Sequence, residues 1–174
     1  MGQNTDNEDI QARAQAILEG RKKTDALFEQ LLMEQNLPPA ILGGGVACLI
    51  GAGIWAAITA WLGAQFGLMA VGIGLLVGIS IRFLGKGMEP VFGYVGAAWS
   101  LLGCLLGNFF SICAMIAMQE EESFASVVRS LDFETVMDIM VVWFTPVDLL
   151  FYGLALYAGY KLSFRRIRDR DMML

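Results

Sequence analysis

The stretch that decides the fold is Met69–Phe110, MAVGIGLLVGISIRFLGKGMEPVFGYVGAAWSLLGCLLGNFF. It reads as two apolar, glycine-laced segments joined by a short loop that carries Arg82, Lys86 and Glu89. A charge-free helix of about 20 residues, at ~1.5 Å rise per residue, crosses the ~30 Å hydrocarbon layer of a bilayer. The same pattern extends on both sides. No charged residue lies between Glu34 and Arg82, and none between Glu89 and Glu120. A soluble domain scatters its charges over its surface, whereas a bilayer forbids them over the length of a span. The chain is 56% hydrophobic over 174 residues, too apolar for an ordinary soluble domain of this size.

The expected fold is therefore all-α and polytopic. It is a four-helix transmembrane bundle with an N-terminal amphipathic helical arm and an interfacial helix before the last span. The arm is placed at 1–39 and the transmembrane domain at 40–163, with spans at 40–62, 68–84, 91–118 and 146–162. An acidic external connection covers 119–145 and a basic tail 164–174. With a polar N-terminal segment, the first span is expected to act as an uncleaved insertion signal.

In the arm, Ile10, Ala14 and Ile17 suit one helical face. Gly20 and the run Arg21–Lys22–Lys23 interrupt the pattern, and Thr24 can cap a second helix bearing Leu27, Phe28, Leu31 and Leu32. Leu37-Pro38-Pro39 then stops it. Such an arm lies on the membrane or on the spans, docks a protein partner through residues 8–36, or stays disordered.

The spans carry small residues four apart. Ala70, Gly74 and Gly78 form one row on the second span. Gly96 and Ser100 head a row on the third, and Gly103, Gly107 and Ser111 form another. Small side chains at this spacing let a neighbouring helix approach closely in a bilayer. Two polar residues stand out. Asn108 serves as an interhelical hydrogen-bond former or as part of a conduction or substrate path. Asp148 has two readings of its own. Thr145, Pro146 and Asp148 form a helix-start signature close to a capping box, yet a carboxylate at that depth is also a candidate ion or proton site. In the connection, Ser123 is a candidate helix cap and either Asp132 or Ser130 a second, and Phe133, Val136, Met137 and Met140 give one greasy side.

The basic residues set the orientation. Arg82 and Lys86 occupy the central loop, while Lys161, Arg165 and Arg166 open the C-terminal tail. With four spans, these segments and the basic arm share a side, which the positive-inside rule makes cytoplasmic for both termini. A net charge of −5 hides this segregation. Because the basic residues hug the ends of spans, no nucleic-acid partner is expected.

Candidate chemistry is sparse. The sequence contains no histidine, so Ser80, Ser100 and Ser111 lack the commonest base to activate them. Gly85-Lys86-Gly87 lacks the spacing of a phosphate loop and precedes Met88. Cys48, Cys104 and Cys113 all fall in apolar segments and read as packing residues. Glu120, Glu121 and Glu122 are consecutive and would point in different directions on a helix, so they read as a solvated acidic loop. No catalytic residue, cofactor or metal is expected.

The segments GIGLLVGISIRFLGKG, FGYVGAAWSLLGCLLGN and DLLFYGLALYAGYKLSFR resemble sequences of small uncharacterised bacterial membrane proteins. The resemblance covers about residues 41–166 and leaves out the arm. It implies a bacterial inner-membrane setting and carries over no functional residue. The expectation from sequence is a non-enzymatic membrane module, a scaffold, anchor or accessory subunit. It would sit in the lipid bilayer and pack with itself or with other membrane subunits, since the small-residue rows exceed what four helices need internally. The alternative is a subunit of an oligomeric channel or transporter using Asp148 and Asn108.

Overall fold

The computed structural model describes residues 2–64, 66–143 and 145–165, the side chains of 2–9, 133, 139, 140 and 143 excepted. Every regular element among them is a helix. Arg166 and the rest of the basic tail lie outside the described residues. The N-terminal segment, up to Gln35, is one unit, and Asn36–Arg165 form a second, compact one.

The N-terminal segment is one helix, α1, Gly2–Met33. The expected break at Gly20 does not occur. Thr24 Oγ1 donates to the Gly20 carbonyl at 2.9 Å, so its hydroxyl is satisfied inside the helix instead of capping a new one. A glycine inside a helix costs only about 1 kcal/mol, which the turns on either side absorb. Ile10, Ile17 and Leu18 are exposed.

Within the compact unit, α2 runs Leu37–Leu62, α3 Leu68–Gly85 and α4 Pro90–Gln119. These three helices are long and apolar enough to cross a membrane. The first begins three residues ahead of the expected Ala40. Pro38 and Pro39 sit in its opening turn, where the missing N–H groups would have no intrahelical partner anyway. Two short helices follow, α5 at Phe124–Ser130 and α6 at Phe133–Trp143, and then α7 at Pro146–Leu162.

The helices α3 and α4 form the centre. They touch each other, and each touches both α2 and α7, which stand on opposite sides. The core between them holds Cys48, Trp55, Ile73, Val77, Ile81, Phe92, Cys104 and Tyr152. Outward faces are apolar as well: Leu42, Val46, Ile50 and Ile54 on α2 and Leu75, Ile79 and Phe83 on α3 are exposed. An all-round apolar helix suits a bilayer, where the outer face meets lipid tails instead of water.

The loop after α3 is a latch. The left-handed residue that ends α3 is Lys86, at φ 48°, not one of the glycines beside it. Its N–H donates to the Arg82 carbonyl at 3.1 Å. Gly85 and Gly87 are needed for closeness instead. A Cβ on Gly85 would lie 2.6 Å from the Cβ of Ala40, and one on Gly87 would enter the Phe92 ring. The Gly85 carbonyl accepts from Asn36 N–H at 2.9 Å and the Gly87 carbonyl from Arg165 N–H at 2.8 Å. The loop thus ties the start of α2 to the end of α7.

At the other end, Ser123 Oγ accepts from Ser126 N–H at 3.1 Å and starts α5. Val127 of α5 packs with Cys113 and Ala117 of α4. Asp132 Oδ1 accepts from Thr135 N–H at 3.1 Å and starts α6. The Thr135 hydroxyl and N–H hold the Asp132 carboxyl below the usual aspartate range. On α6, Met137, Val141 and Val142 are exposed, while Phe133 and Met140 are among the undescribed side chains.

Candidate functional site

The sequence-derived packing residues meet within the bundle. Gly74 faces Ala155 of α7 so closely that an added Cβ would collide with the Ala155 carbonyl and lie 2.8 Å from its Cα. One turn on, a Cβ at Gly78 would lie 2.8 Å from the Cβ of Leu162 and 3.1 Å from the Gly159 carbonyl. Ala70 is fully buried, and its carbonyl accepts from the Cys104 thiol at 3.8 Å.

Between α4 and α7 the contact is reciprocal. A Cβ on Gly96 would meet Ser163 Oγ and the Gly159 carbonyl. A Cβ on Gly159 would meet Ser100 Oγ and lie 2.7 Å from the Gly96 carbonyl. Ser100 Oγ donates to the Gly96 carbonyl at 2.7 Å, and Ser163 Oγ donates to the Gly159 carbonyl at 2.6 Å. Each serine hydroxyl therefore folds onto its own helix and fills the space that the opposing glycine leaves. Ser163 was missed in the sequence reading. Its spacing of four from Gly159, matching Gly96 and Ser100, was the signal that could have found it.

The second α4 row faces the other way. A Cβ on Gly103 would lie 2.6 Å from Ile73 of α3 and 3.3 Å from Cys48 Sγ of α2. One on Gly107 would lie 2.5 Å from the Trp55 ring. Ser111 accepts from Thr59 Oγ1 at 3.2 Å, and both are buried. The two rows of α4 thus receive α7 on one side and α2 with α3 on the other. They are occupied inside the bundle, not left over for partners as the sequence suggested.

Asn108 lies on the same helix, 2% exposed. Its Nδ2 donates to Tyr152 Oη at 3.2 Å, and Tyr152 Oη donates to the Cys104 carbonyl at 3.4 Å. Asp148 sits one turn before Tyr152 on α7. Its Oδ2 accepts from the Thr145 N–H at 2.9 Å and from the Thr145 hydroxyl at 2.8 Å. A Cβ on Gly67 would lie 3.1 Å from Asp148 Oδ1, so the carboxylate also covers the turn before α3. A negative charge at this position faces the positive end of the α7 dipole.

Four of the cations expected from sequence to set the orientation, Arg82, Lys86, Lys161 and Arg165, lie at the opposite end of the bundle. Arg82 and Arg165 are partly buried, while Lys86 and Lys161 are exposed. Among the described residues no group of three metal-binding side chains comes together. One buried polar atom is left over, Trp55 Nε1, which has no hydrogen-bond partner among the described residues. No family model, curated protein or solved structure matches the chain.

Proposed function

We propose that the chain is a four-span integral membrane protein of a bacterial inner membrane. In this reading it acts as a non-enzymatic module, a scaffold, anchor or accessory subunit that associates with itself or with other membrane subunits. The observation that carries the reading is the reciprocal Gly96–Ser100/Gly159–Ser163 contact. It brings two helix backbones together with their hydroxyls spent on their own carbonyls. Nearby, Asn108 and Tyr152 are engaged with each other, and the Asp148 carboxylate is engaged at a helix start. Polar groups bonded to one another in a closely packed interior hold helices together and present no lined path.

In this reading α7 is the fourth span. Its 17 residues cover about 26 Å, enough once Lys161 snorkels. The basic segments at Lys86 and Lys161 then face the cytoplasm, and α6 lies in the opposite interface with Val141 and Val142 toward lipid. With the small-residue rows engaged internally, association falls to the outward faces of the spans and to α1.

The test joins topology, flux and assembly. Single cysteines at Lys86 and Glu121, in a background without Cys48, Cys104 and Cys113, should label from opposite sides of the membrane. The purified chain should form a defined complex in mild detergent and give no ion flux in liposomes. A flux that falls on Asp148→Asn would overturn the reading in favour of the channel subunit.

A further inference from the structure

Along the outer seam of α2 and α3 lies an open trough of about 450 Å³. Gly43 and Ala47 line its floor. Its walls are Leu42, Val46 and Ile50 from α2 and Leu76, Ser80 and Leu84 from α3. Each wall repeats every four residues, so the trough runs along the helix axes. From Pro39 to Ile50 it extends about 16 Å. Leu76 also lines a smaller hollow of about 200 Å³ beside Ile54 and Gly72, which prolongs the seam.

The polar groups along this seam come in a definite order. Lys86 stands exposed where α3 ends. Ser80 lies about 9 Å further along the axis. Ser100 and Ser163 turn their hydroxyls onto carbonyls four residues earlier, whereas Ser80 lines the trough. Beyond it the lining is hydrocarbon. Among the described residues of the compact unit, the Lys86 end also carries Arg82, Lys161 and Arg165 against the acid Glu89. Arg165 is held there by its N–H bond to the Gly87 carbonyl.

A glycerophospholipid presents the same order: an anionic phosphate, ester carbonyls just below it, then a hydrocarbon chain. We propose that the α2/α3 trough binds one anionic glycerophospholipid from the leaflet on the Lys86 side. Its phosphate pairs with Lys86, an ester carbonyl accepts from Ser80 Oγ, and one acyl chain lies between the Val46 and Leu76 walls. The proposal rests on the membrane-spanning reading above. The trough is lined by α2 and α3 alone and, apart from Ser80, by hydrocarbon, which suits an acyl chain. The excess of cations at this end of the bundle favours a net negative headgroup over a zwitterionic one.

Native mass spectrometry of the full chain in mild detergent tests this, with phosphatidylglycerol and phosphatidylcholine as probes. The wild-type chain should retain one lipid and prefer phosphatidylglycerol. Val46→Trp fills the trough from an exposed position and should abolish retention, whereas Leu102→Trp, equally on the outer surface but on α4, should not. Ser80→Ala should weaken retention about threefold for both lipids, the ordinary worth of one hydrogen bond in a bilayer. Lys86→Gln should remove the preference for phosphatidylglycerol. Equal retention in Val46→Trp and wild type would overturn the proposal, and so would a wild-type dimer that Val46→Trp dissolves, because the occupant would then be a second copy. An alkaline carbonate wash of the membranes separates the two readings. A chain that stays in the pellet but binds no lipid overturns only this proposal, and a chain released to the supernatant overturns the membrane reading as well.

Discussion

The seam between α3 and α7 and the seam between α2 and α3 both use small residues four apart, Ala70, Gly74 and Gly78 on α3 and Gly43, Ala47 and Gly51 on α2, yet they close differently. On α3, Gly74 and Gly78 face the backbone of Ala155, Ala158 and Gly159, with the Leu162 Cβ beside Gly78, and the backbones come into contact. On α2, Gly43 and Gly51 face Leu84 and Ile73, so the contact there is made by side chains and not by backbone. The second seam is left with an open trough. A row of glycines is therefore only half of a close contact. The residue types on the facing helix decide whether the row brings backbones together or merely seats a side chain.

The largest test of this comparison is to place a side chain in the closed seam. Gly74→Leu must displace the Ala155 backbone, which cannot give way as a side-chain tip can. We expect a loss of about 3 kcal/mol or more, seen as a steep fall in thermal unfolding temperature in detergent. Gly43→Ala in the open seam should cost less, about 1 kcal/mol, because its added Cβ meets the movable end of Leu84. If the two variants unfold alike, the distinction between the seams is wrong.

The polar contacts come next. Asn108→Leu removes the bond to Tyr152 and should cost about 0.6–2 kcal/mol by the same assay. Asp148→Ala removes both bonds to Thr145 and should cost about 1 kcal/mol. Hydrogen exchange should quicken at the amides of the first turn of α7 and not at its end.

The smallest effect belongs to Asp132, at the start of α6. Its carboxyl is held below the ordinary value of 3.8 because Thr135 donates to the charged form. The group is more acidic folded than unfolded, so its contribution is complete above 3.8 and fades as pH falls through the lower folded value. Hydrogen exchange across α6 should quicken with acidification in that window in the wild-type chain. Asp132→Asn should flatten that response while leaving α2, α3 and α4 unchanged. A wild-type profile without pH dependence would contradict the cap.

Much of the helical layout could be read from the chain. The charge-free runs on either side of Arg82 and Glu89 locate three long apolar helices to within a few residues, because a bilayer penalises charge position by position. Thr145, Pro146 and Asp148 mark the start of α7 by local chemistry alone, since a cap involves only neighbours in sequence. Where local signals competed, reading failed. Gly20 looked like a break, but nearby turns and the Thr24 back-bond outweighed it. Lys86 read as an orienting cation between two glycines, yet it also takes the left-handed position while Gly85 and Gly87 make room for Ala40 and Phe92.

The sequence by itself determined which segments are apolar helices, where their caps and stops fall, and which helices carry small-residue rows. These properties depend on the period of one helix and on residues a few positions apart. Only the tertiary structure decided what each row faces: Gly96 against Gly159, Gly107 against Trp55, Gly43 against Leu84. Pairings between helices join residues that are far apart in the chain, and whether a seam closes or stays open depends on both partners at once.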